Sequence, residues 1–111
     1  MITTHVLDLA HGGPAVEMTV FLAIRQANDW SPVARGVTGT DGRLTTLTGR
    51  GPLLPGTYRL TFDLGAYHRD KGLSDPFFPE AEITFSVRDP SADYHVPLLV
   101  SPFGYSTYRG V

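Results

Sequence analysis

Apolar side chains recur at every second position over much of this chain, the period of a half-buried β-strand. From Thr57 to Leu64, Tyr58, Leu60, Phe62 and Leu64 share one face, while Arg59, Thr61 and Asp63 share the other. From Ala81 to Arg88, Ala81, Ile83, Phe85 and Val87 stand opposite Glu82, Thr84, Ser86 and Arg88. The run Glu17 to Gln26 alternates less cleanly: Met18, Val20, Leu22 and Ile24 make one face, with Phe21 and Ala23 on the other. Gly and Pro punctuate these runs at Gly12-Gly13-Pro14, Asp41-Gly42, Gly51-Pro52, Pro55-Gly56 and Asp89-Pro90. Many short strands with frequent turn signals predict an all-β protein built as a sandwich. Gly65 to Gly72, directly after a strand run, has room for one or two helical turns. There is no internal repeat or low-complexity stretch, and 111 residues predict a single domain over 1–111 with a core large enough to need no staples.

Strand parity also sorts the reactive side chains. Within Asp93–Ser101, Tyr94, Val96, Leu98 and Val100 form a core face, so His95 points away from the core with Pro97, Leu99 and Ser101. His5 shares its face with Thr3, Leu7 and Leu9. Near the end of the chain, Ser106 and Tyr108 share one face, and Tyr105, Thr107 and Arg109 the other. Leu7, Leu9 and Leu99 on faces turned from the core are too apolar for open water and predict a partner surface, as in a subunit that packs into an oligomer.

Composition narrows the chemistry. A net charge of −2 gives no reason to expect nucleic acid or an anionic membrane as partner. With no cysteine, disulfides and thiolate chemistry are excluded. No leader pattern or long apolar run is present, so a soluble cytoplasmic protein is expected, with an already trimmed exported form as the other possibility. The four histidines show no HxxxH or HxH spacing, so neither a metal nor another cofactor is expected. His11 falls in a turn and suits a structural role; His68, in the helical segment, is expected to be solvated. There is no GxSxG elbow and no phosphate-binding loop.

Two longer motifs stand near the ends. One is Thr4-His5-Val6-Leu7-Asp8-Leu9-Ala10-His11-Gly12-Gly13-Pro14-Ala15; the other closes with Ser101-Pro102-Phe103-Gly104-Tyr105-Ser106-Thr107-Tyr108-Arg109-Gly110-Val111. Together they resemble the transthyretin-like family of 5-hydroxyisourate hydrolases, with its THVLD-x-AHG-x-PA opening and SP-x-GYSTYRG-S close. The departure is Val111, where the family has Ser. The resemblance covers nearly the whole chain. It implies the transthyretin-like (prealbumin-like) β-sandwich of two four-stranded sheets with one short helix. Strands are then expected at Ile2–Asp8, Met18–Gln26, Val33–Thr38, Arg43–Leu47, Thr57–Leu64, Ala81–Asp89, Tyr94–Val100 and Tyr105–Arg109.

The resemblance also changes how single residues are read. A lone His on a strand surface more often makes one hydrogen bond than does catalysis, and an Arg after Asp-Gly is usually solvated. In the family, however, the His matching His5, the His matching His95 and the Arg matching Arg43 belong to the active site. The family's TN-x-DGR stretch reads Thr38-Gly39-Thr40-Asp41-Gly42-Arg43 here, so Gly39 departs. A planar guanidinium suits a planar urate-like ligand rich in carbonyl oxygens. Ser106, Tyr108, Arg109 and Gly110 are implied to shape the substrate pocket.

The implied activity is hydrolysis of 5-hydroxyisourate to 2-oxo-4-hydroxy-4-carboxy-5-ureidoimidazoline in urate degradation, by a homotetramer built as a dimer of dimers. His5 and His95 would orient and deprotonate water, with the choice of base left open. The alternative is a transthyretin-type small-molecule carrier without catalysis, which the loss of the family's terminal hydroxyl at Val111 favours. A weaker third reading is an immunoglobulin-like interaction domain.

Overall fold

The computed structural model describes Met1–Val111 and consists of two sheets and one short helix. Strand β1 (Ile2–Asp8) is the centre of the first sheet. Along one edge it pairs in parallel with β8 (Tyr94–His95) and β9 (Leu98–Ser101), and β10 (Gly104–Thr107) pairs with β9 beyond them. Its other edge carries the short strands β2 (Gly13–Pro14) and β5 (Arg43–Leu44), both antiparallel. β8 and β9 are one strand path interrupted at Val96–Pro97, because Pro97 has no N–H to give the ladder. The second sheet is the antiparallel series β4 (Asp29–Val37), β3 (Thr19–Gln26), β6 (Gly56–Phe62), β7 (Ala81–Val87).

This is the expected sandwich with several shifted boundaries, except that the first sheet has six strand segments rather than four, because Pro97 splits the expected Tyr94–Val100 strand and Gly13–Pro14 adds a short one. β4 begins at Asp29 rather than Val33. The link from β3 is a two-residue turn, Ala27-Asn28, with Ala27 at φ 56°, and a bulge between Leu22 and Ala23 absorbs the irregularity at Pro32 and Val33. β6 stops at Phe62 because Asp63 caps the next element: its carboxylate accepts from the Ala66 amide at 3.1 Å and starts helix α1 (Leu64–Asp70). β5 ends at Leu44 rather than Leu47, and β10 ends at Thr107 rather than Arg109.

Alternation along β1 is strict: Ile2, Thr4, Val6 and Asp8 are buried, while Thr3, His5 and Leu7 lie partly open on the opposite face. The core joins Ile2, Val6, Leu98 and Val100 of one sheet to Val20, Leu22, Leu60 and Phe62 of the other. The two buried threonines beside it are hydrogen-bonded, as burial demands. Thr4 donates to the Val96 carbonyl at 2.7 Å; Thr38 donates to the Ala15 carbonyl at 2.7 Å and accepts from the Met18 amide at 2.9 Å.

His68 departs from expectation. It is 4% exposed rather than solvated, and its Nε2 has no protein partner. Helical spacing explains this: Leu64, Tyr67 and His68 are i, i+3 and i+4, so they share the inward face of α1. Tyr67 on that face ties the helix to β1, its hydroxyl donating to Asp8 Oδ2 at 2.6 Å while the His11 amide donates to Oδ1 at 3.0 Å. Burial alone would raise the Asp8 pKa. The Tyr67 hydroxyl, the His11 and Ala10 amides and the nearby His11 side chain outweigh it and hold the carboxyl below its ordinary 3.8.

A depressed carboxyl pKa stabilises the fold above the unfolded-state value and loses that contribution as pH falls through the folded-state value. Tyr67→Phe removes the main compensating donor. It is expected to lower unfolding free energy by roughly 1.5–3 kcal/mol at neutral pH, as for other hydrogen bonds to charged groups, and to flatten the loss of stability below about pH 4. Urea unfolding at neutral and acid pH checks this; an unchanged acid limb would show that the pair does not anchor the helix.

Candidate active site

The outward face of β1 places its side chains two residues apart, ~7 Å at strand rise. Thr3 is the register partner of His95 in β8, and His5 is the register partner of Arg43 in β5. Three segments far apart in sequence are therefore set side by side by backbone pairing on the two edges of one strand.

The Asp41-Gly42-Arg43 turn is built for this position. Gly42 lies at φ 78° in a buried site, and a Cβ there would collide with the Val6 carbonyl, so only Gly fits. The Asp41 carboxylate accepts from the Arg43 amide at 3.0 Å, with the Arg43 Nε 3.9 Å from its other oxygen. The Asp41 carbonyl accepts a hydrogen bond from His5 Nε2 at 2.9 Å. A carbonyl can only accept, so this bond puts the proton of neutral His5 on Nε2 and leaves Nδ1 with its lone pair.

His95 Nδ1 lies 2.8 Å from the Thr3 hydroxyl. Burial first, then the positive charges of Arg43 and His5, push the His95 pKa below its ordinary 6.5. A neutral imidazole at pH 7 follows, the form that can take up a proton.

An open cleft of about 550 Å³ is lined by Thr3, Arg43, Asp93, His95, Arg109 and Gly110, with both terminal residues at its margin. The guanidinium of Arg109 stacks on the Tyr94 ring at 4.9 Å. Gly110 forms a bridge to His95, its amide donating to the His95 carbonyl at 2.7 Å. The surroundings are cationic and fork-shaped, a match for a planar, oxygen-rich ligand. No three His, Asp or Glu side chains converge as a metal-binding group.

Among the residues singled out from sequence, Arg43, His95, Arg109 and Gly110 line this cleft, and His5 adjoins it through its pairing with Arg43 and its field on His95. Tyr108 lines a different cavity, about 260 Å³ in volume, with Ile83, Phe85 and Tyr94. Ser106 is exposed beside Leu99 on β10, also outside the cleft. Tyr108 lies past the end of β10 at Thr107, where strand parity no longer governs the chain, whereas Ser106 is still paired within the ladder. Thr3 and Asp93 were not singled out; parity had placed Thr3 on the face of His5, but nothing in the sequence pairs it with His95.

The chain belongs to the HIUase/Transthyretin family, whose model matches residues 2–110. It is 43% identical over 112 aligned residues to the 5-hydroxyisourate hydrolase of Deinococcus radiodurans, covering 98% of this chain and 94% of that one. Among solved structures it resembles Klebsiella pneumoniae 5-hydroxyisourate hydrolase, with a TM-score of 0.86, 35% identity and coverage of 99% and 97% of the two chains. It resembles transthyretin from Sparus aurata with a TM-score of 0.91, 32% identity and coverage of 98% and 95%. It also matches an (S)-allantoin synthase at 38% identity and a TM-score of 0.89, there spanning only 43% of the longer chain.

If Arg43 holds the His95 pKa down, Arg43→Met is expected to let it rise. The imidazole titration midpoint of His95, followed by NMR, should then move to higher pH. An unmoved midpoint would show that Arg43 does not act on His95.

Proposed function

We propose that this protein is a 5-hydroxyisourate hydrolase. The observation that carries the proposal is the grouping of His5, Arg43 and His95 about one cleft on the outward face of the first sheet. Similarity to hydrolases of that name from Deinococcus radiodurans and Klebsiella pneumoniae over nearly the full chain supports it.

In the proposed reaction a water in the cleft adds to a ring amide carbonyl of the substrate. His95, kept neutral by burial and neighbouring charge, takes the proton of that water. The Arg43 fork holds the carbonyl oxygen and offsets its developing negative charge. The proton passes on to the ring nitrogen as the C–N bond breaks, with His5 orienting the reacting groups. The new carboxylate stays beside Arg43 and Arg109, and opening the amide yields 2-oxo-4-hydroxy-4-carboxy-5-ureidoimidazoline.

The likeness to the sea-bream transthyretin favours one other reading, a carrier that binds without reaction. Urate oxidase generating 5-hydroxyisourate, with its decay followed by ultraviolet absorbance, separates the two. The protein should accelerate decay, and His5→Asn and His95→Asn should each lower the rate about 10²–10⁴-fold with the fold retained. Decay at the spontaneous rate with wild-type protein would favour the carrier.

We further propose a homotetramer, a dimer of dimers in which the outward face closes over the cleft. Leu7 and Leu99 are register partners on that face, and Leu9 beyond them is 58% exposed. Fully burying an exposed side chain of this kind is worth roughly 1.5–3 kcal/mol, and the half-buried Leu7 and Leu99 would each contribute less. The free edge of β10 offers a ladder to a second copy. Light scattering at micromolar concentration is expected to give four subunits, and a monomer would overturn the proposal.

A further inference from the structure

We propose that Thr3 is a positioning residue: with the bare Cα of Gly110, its hydroxyl holds His95 so that Nε2 is the atom presented to the cleft as proton acceptor. The inference deepens the hydrolase reading and rests on it.

The hold begins in the backbone. Thr3 and His95 are register partners, and the Val96 amide donates to the Thr3 carbonyl at 2.9 Å. From the other direction the Gly110 amide donates to the His95 carbonyl at 2.7 Å. The side chain is then gripped on both flanks of its ring. Nδ1 meets the Thr3 hydroxyl at 2.8 Å. On the opposite flank, a Cβ built on Gly110 would stand 2.5 Å from His95 Cδ2, so the ring occupies space that any other residue would fill. Nε2 has no protein partner and is not among the buried unpaired atoms, and the ring lines the cleft together with Thr3 and Gly110.

The proton count gives this grip a chemical role. A neutral imidazole carries one proton, and the other nitrogen is the base. A base at Nε2 requires the proton on Nδ1, and that N–H needs an acceptor. In the proposed arrangement the Thr3 hydroxyl oxygen accepts from that N–H, one of the two roles a hydroxyl can take at this distance. Without it, the neutral ring is free to place its proton on Nε2, leaving no lone pair facing the substrate water. Thr3 touches His95 and acts on the reaction through it.

Thr3→Val keeps the side-chain shape and deletes the hydroxyl, whereas Thr3→Ser keeps the hydroxyl. In wild type, ¹⁵N shifts of His95 above its titration midpoint are expected to show the proton on Nδ1. Thr3→Val should move the population toward Nε2–H and lower kcat by roughly 10-fold or more with little change in KM, as for other partners that orient a functional imidazole. Thr3→Ser should restore both. A Thr3→Val protein that keeps the wild-type ¹⁵N pattern and full kcat, beside an active wild type, overturns this inference alone. A wild type without activity overturns the hydrolase reading, and the nitrogen shifts still decide whether Thr3 sets the tautomer.

Discussion

Everything at the cleft depends on β1 being hydrogen-bonded along both edges. A strand with one free edge could bring one neighbour beside His5. With β8 on one side and β5 on the other, the ladder sets two neighbours at once, His95 against Thr3 and Arg43 against His5. Slipping either register by one residue would turn the partner side chain to the opposite face of the sheet. The buried face prevents such a slip, because Ile2, Thr4, Val6 and Asp8 are matched to the core in the same alternation.

The polar groups inside that core reinforce the register. Thr4 reaches the Val96 carbonyl, one residue from His95, and so pins the broken strand path where Pro97 interrupts the ladder. Asp8 at the far end of β1 is held by Tyr67 of α1 and by the turn amide of His11. A buried carboxylate is tolerated because its oxygens are paired; the same burial without those donors would favour the neutral acid. His68 shows the opposite case on the same helix face, an inward imidazole whose Nε2 lacks a protein partner.

Electrostatics at the cleft runs against ordinary surface behaviour. Arg43, Arg109, His5 and His95 gather at one place in a chain whose net charge is −2. Partial burial first, and then the charges of Arg43 and His5, disfavour a positive charge on His95, so it stays neutral where a solvated histidine would begin to protonate. The same charges that help burial to keep the base neutral suit an oxyanion, so one arrangement serves both proton uptake and charge stabilisation. The apolar side chains farther along the face, the half-buried Leu7 and Leu99 and the exposed Leu9, lie where exclusion of water would strengthen both effects.

Strand parity made the faces of β1, β6, β7 and β9 legible from the residues, because a period of two needs no knowledge of neighbours. The turn at Asp41-Gly42 was legible too, since a positive φ selects glycine locally. The short helix was visible as a gap between strand runs, but the side facing inward was not, and His68 was misplaced for that reason. The family resemblance implied that Tyr108 and Ser106 shape the pocket; within one subunit Tyr108, past the end of β10, lines another cavity and Ser106 pairs with Leu99, placements set by pairing with β9. Thr3 carried no motif at all. Its meeting with His95, 92 positions away, exists only because two strands run in parallel. What the sequence by itself determined was alternation, turn chemistry and residue type, all of them local. Which groups share a cleft, which nitrogen of a histidine holds the proton and which pKa values move were decided by tertiary structure, because hydrogen bonds and electrostatic fields act over ångströms in space and not over separation along the chain.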